Sequence, residues 1–98
     1  MIGRRRFGDL VDRQLALFVE EHADLLRDCD DALRAYNAAD RDDADEHYER
    51  FGDLQEEVND ALEDIRDRYT ATLDDSLAER YTAEFDRAAA KRFRGVWL

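Results

Sequence analysis

Asp40-Arg41-Asp42-Asp43-Ala44 opens a stretch that runs to Leu73, with Tyr48, Phe51, Gln55, Val58, Leu62, Ile65, Tyr69 and Thr72 at alternating steps of three and four. That alternation is the seam of a long amphipathic helix built to lie along another helix. It predicts a helix over about 40–73, roughly 50 Å long at about 1.5 Å per residue. Asp40 reads as its N-cap, and Asp42 and Asp43 sit favourably against the positive end of the helix.

Upstream, Val11, Leu15, Phe18, His22, Leu25, Cys29, Ala32 and Tyr36 repeat the same steps. Val19, Leu26 and Leu33 form a second row, and Phe7, Leu10 and Leu17 widen the apolar stripe in its first half. One unbroken helix over about 4–38 is expected. The short connection Asn37-Ala38-Ala39-Asp40 makes the two long helices antiparallel neighbours. A turn centred near residue 38 pairs Leu15 with Leu62, Cys29 with Tyr48, and His22 with Gln55. The last two are the polar residues that interrupt the two seams, so a buried hydrogen bond between them is expected to set the alignment.

Downstream, Asp74-Asp75-Ser76 forms the next turn. Ser76 with Glu79 reads as a capping box, with Asp75 as the alternative cap. A third helix follows over about 76–94. Its row of Leu77, Tyr81, Phe85, Ala89, Phe93 and Trp97 steps only by four, which slants it obliquely across the hairpin. Gly95 is the expected terminator. Gly52 lies inside the second helix, where it costs about 1 kcal/mol relative to alanine. A close backbone approach or a local bend would account for it.

The fold class is therefore all-α: a long antiparallel two-helix hairpin with a shorter oblique third helix, residues 1–98 forming one domain. A third helix of roughly 30 Å covers Phe7, Leu10, Leu17 and the second half of the long helix, but not the whole hairpin. Leu26, Leu33, Tyr48, Phe51 and Leu54, near the 37–40 turn, are left short of partners. Self-association into a dimeric helical bundle is the expected remedy.

The 98 residues carry 42% charged and 44% hydrophobic side chains, four glycines and no proline, which favours long helices over disorder. The net charge of −11 is concentrated in residues 28–64. Such a band disfavours direct binding to nucleic acid and suits a basic protein partner, with Asp28, Asp31, Glu46, Glu49, Glu56 and Asp60 as its candidate face. No apolar run spans a bilayer and no signal-peptide core follows Arg4-Arg5-Arg6, so no membrane association and a cytoplasmic location are expected. The single cysteine, Cys29, falls on the core row and reads as a small core filler.

No residues are assigned to catalysis, to a cofactor or to a metal. A di-iron bundle needs Glu-x-x-His, and Val19 and Ala44 stand three residues before His22 and His47. Glu46-x-x-Glu49 and Glu57-x-x-Asp60 resemble the magnesium-binding pairs of MazG-type pyrophosphatases, but both fall on one helix and face away from its seam. The function expected is a non-enzymatic structural or protein-interaction module that self-associates. The alternatives are an acidic regulator or decoy docking a basic protein surface, and a divalent-cation-binding helical protein.

Overall fold

The long amphipathic stretches do fold as helices, but as four rather than three. The computed structural model describes residues 6–97, in which α1 (Gly8–Glu21), α2 (Ala23–Ala38), α3 (Ala44–Thr70) and α4 (Asp75–Arg92) occur with no strand. Arg4, Arg5 and Leu98 lie outside the described residues, and with them the expected start of the first helix and the end of the apolar tail.

The predicted first helix is broken at His22, whose φ of −121° and ψ of 31° leave the helical region. No glycine or proline marks the break. The carbonyl of Phe18 accepts from the His22 backbone N–H at 2.9 Å, and His22 Nδ1 approaches the same oxygen at 3.2 Å. A side chain that turns back onto the carbonyl four residues earlier competes with the regular ladder and bends a helix. The imidazole also stacks on Phe18, with centroids 4.5 Å apart.

The connection between α2 and α3 is longer than expected. Asp40 is not the cap of α3: its carbonyl accepts from Asp43 N–H at 3.0 Å in a tight turn, and the helix starts at Ala44. The extra loop changes the register. Tyr48 meets Tyr36, ring centroids 5.4 Å apart, where Cys29 was expected. Cys29 and Tyr36 are one heptad apart, and sliding a seam by a heptad returns apolar positions to apolar positions. Periodicity alone is blind to such a slip. The cap of α4 is also earlier than expected: Asp74, in extended conformation, accepts from Leu77 N–H at 2.9 Å, so neither Ser76 nor Asp75 fills that place.

α2 packs along α3, while α4 packs against both α1 and α3. The core lies among these last three helices. Val11, Leu15 and Phe18 of α1, Val58 and Leu62 of α3, and Tyr81, Phe85 and Ala89 of α4 are buried there, closed by Phe7 and Phe93. Phe7 meets Tyr81, and Phe18 meets Phe93, both edge-on at 5.5 Å, so α1 and α4 run in the same direction. After α4 the chain turns at Gly95, where φ is +82°, a value that favours glycine. Trp97 then packs edge-on to Phe85 at 6.2 Å, beneath the Arg66 guanidinium. The molecule extends 52 × 27 × 22 Å. Its length belongs to the α2–α3 hairpin, whose turn end projects beyond α4 as an arm.

Candidate functional site

α4 and its tail reach α3 as far as Gln55. Gln55 Nε2 donates to the carbonyls of Gly95 and Val96 at 3.3 and 3.0 Å, and Asn59 Nδ2 donates to Val96 O at 2.8 Å. Beyond that level, among the described residues, α2 and α3 pack on each other.

The five candidates for self-association all lie in or beside this arm, but they form a narrower patch than expected. Phe51 is buried inside the chain, 9% exposed, as part of the same core as Cys29 and Ala32. Leu26, Leu33 and Leu54 are half-buried along the core edge, and Tyr48 alone is largely exposed, at 60%. Tyr36 stands over Tyr48, and Phe51 belongs to the buried core. On α1, Leu17 was expected beneath the last helix and is instead 54% exposed.

The polar pair His22 and Gln55 does not form the expected bond. The His22 ring is engaged with Phe18 of its own turn, and Gln55 holds the C-terminal tail. Both side chains are half-buried rather than deep in the core.

All six candidates for the acidic face, Asp28, Asp31, Glu46, Glu49, Glu56 and Asp60, are exposed. On α3 they belong to a longer row. Glu46, Glu49, Asp53, Glu56, Asp60 and Glu63 step by three and four along the side opposite the buried Phe51, Val58 and Leu62. Among the described residues, no three His, Cys, Asp or Glu side chains come together as a metal site requires, and no helix is long and apolar enough to cross a membrane.

Two polar residues that matter to the fold were not singled out from the sequence. Asn59 stands four residues after Gln55, which places both amides on one face of α3, and that spacing was a readable signal. Glu84 falls between Tyr81 and Ala88 on the core-facing side of α4. Its buried carboxylate accepts from the Phe7 backbone N–H at 3.2 Å. A carboxylate on an apolar row was the signal there, but nothing in the sequence named its partner.

Two core groups have shifted protonation. Burial pushes the Tyr81 phenol up to about 12, and its hydroxyl donates to Gln14 Oε1 at 2.7 Å. Burial, aided by Asp30, also raises the Cys29 thiol, which suppresses its thiolate. No family model, no curated protein and no solved structure matches this chain.

Proposed function

We propose that the chain is a non-enzymatic helical module for protein interaction that associates with copies of itself. The arm carries this reading. Two helices cannot enclose an apolar stripe as three can, and here Leu26, Leu33 and Leu54 stay half-buried while Tyr48 faces solvent. Covering such edges is favoured by about 25 cal/mol per Å² of apolar surface removed from water.

A second reading, an acidic regulator or decoy that docks a basic protein surface, is favoured by the unbroken carboxylate row on the outer side of α3. The two readings differ in what they need: the first requires only this chain, the second requires another protein.

Sedimentation velocity of the purified full chain over a range of micromolar concentrations separates them. A mass that rises from monomer to dimer with concentration is the expected result. A monomer at every concentration, in both low and moderate salt, overturns the self-associating reading.

A further inference from the structure

α4 carries an exposed basic row that answers the acidic row of α3. Arg80, Arg87 and Lys91 of α4, with Arg94 just past its end, are exposed and fall at steps of seven, four and three along the flank that also carries Glu84. No acidic residue follows Asp86 in the chain. None of the four cations has an ion pair or other polar partner among the described residues. Lys91 and Arg94 suit the negative end of α4, but that effect fades within the last turn and leaves Arg80 and Arg87 unexplained. Ala83 and Ala90 lie beside this row and are also exposed. The row therefore offers charge together with close access to the helix backbone.

The acidic row on α3 has a matching length, roughly 25 Å against roughly 20 Å at about 1.5 Å per residue. The acidic row steps by three and four and the basic row by seven, four and three, spacings that hold a row to one side of a helix. Gly52 adds an independent observation. It sits in mid-helix beside Glu49, Asp53 and Glu56, where glycine is unfavourable, yet a Cβ built there meets no atom within 4 Å. No described residue requires a glycine at this point. A surface groove runs past it, lined by Gln55, Glu56, Asn59, Asp60 and Glu63.

We infer that a second copy of this chain docks here, its α4 lying along the α3 groove at Gly52 so that the basic row of one copy meets the acidic row of the other. The inference rests on the self-associating reading and places the holding contact in the row pairing, without which the apolar edge of the arm does not keep two copies together. Arm against arm would instead oppose carboxylates to carboxylates, because Asp28 and Asp31 are exposed on α2 as the row is on α3. Exposed charge pairs are screened beyond about 8 Å at physiological ionic strength, so this association weakens as salt rises.

The test is a charge swap. One variant carries Arg87→Glu, Lys91→Glu and Arg94→Glu; the other carries Glu49→Arg, Asp53→Arg and Glu56→Arg. All six positions are exposed, and circular dichroism checks that each variant keeps its helicity. Each variant alone is expected to sediment as a monomer, and the equimolar mixture to recover a dimer that dissociates with added salt. A dimer that survives in either variant overturns the row pairing while self-association stands. Monomers in the mixture also overturn the pairing, and a wild-type chain that is monomeric at every salt concentration overturns both.

Discussion

The backbone N–H of Phe7 donates to the Glu84 carboxylate, 3.2 Å to Oε1 and 3.4 Å to Oε2, so a side chain of α4 closes the first turn of α1. The first N–H groups of a helix have no partner within it, and a carboxylate is favoured against that positive end. Glu84 is buried, so the pair is shielded from water and both groups depend on it. Glu84→Ala leaves the Phe7 N–H without its acceptor and opens a small void. A loss of about 2–3 kcal/mol in urea unfolding is expected. Glu84→Gln keeps an acceptor oxygen and costs about half as much. Equal losses for the two variants would show that the negative charge alone stabilises this contact, with nothing added by the acceptor oxygen or the filled volume.

The Tyr81 hydroxyl donates to Gln14 Oε1 at 2.7 Å from within the aromatic cluster. Its folded pKa of about 12 lies above the ordinary 10.0. A raised pKa means that the folded state holds the proton more tightly. The resulting stability is fully present below pH 10 and is lost as pH climbs through about 12. Phenolate absorbance should therefore show one of the four tyrosines titrating last and together with unfolding. Tyr81→Phe removes that last step and costs about 1 kcal/mol at neutral pH through the lost hydrogen bond.

Trp97 is the only tryptophan, and it reports on the C-terminal tail. The tail is held by amide donors from Gln55 and Asn59 and by the ring contacts of Trp97 with Phe85 and Arg66. Replacing both amides with alanine should free the tail, red-shift the tryptophan emission and lower stability by about 1–3 kcal/mol. An unshifted emission would mean that the aromatic contacts alone seat the tail.

Gly52 has open space where a Cβ would stand. In the charge-reversed monomer, Gly52→Ala should stabilise the fold by about 0.5–1 kcal/mol in thermal or urea unfolding, because alanine has the better helix propensity. In the wild-type chain, Gly52→Leu should raise the dissociation constant of the dimer. A stabilised fold with unchanged association would leave the glycine without a role at the interface.

Much of this architecture can be read directly from residue spacing. The row Tyr81, Phe85, Ala89 and Phe93 is buried as its four-residue step implies, and so is the seam through Val58 and Leu62. The exposed acidic row of α3 follows from the same arithmetic, because positions opposite a buried seam must face water. Periodicity reports which side of a helix is apolar, and that is a local property. His22 lay beyond its reach, since the break comes from a ring turning onto the Phe18 carbonyl and carries no glycine or proline.

Partnerships are the other kind of information. Tyr48 meets Tyr36 instead of Cys29, and Gln55 holds Val96 instead of His22, because a heptad slip leaves an apolar seam apolar. The loop over 39–43 selects between registers that the pattern treats as equal. Glu84 on Phe7 is of the same kind, a contact across 77 positions that exists only once α1 and α4 lie side by side. The sequence by itself determined the all-helical class, the apolar sides of the helices and the placement of charge, all set by neighbours within a turn or two, but not the break at His22. Only the tertiary structure decided which turn of one helix faces which turn of another, because that choice depends on loop geometry and on packing between distant segments.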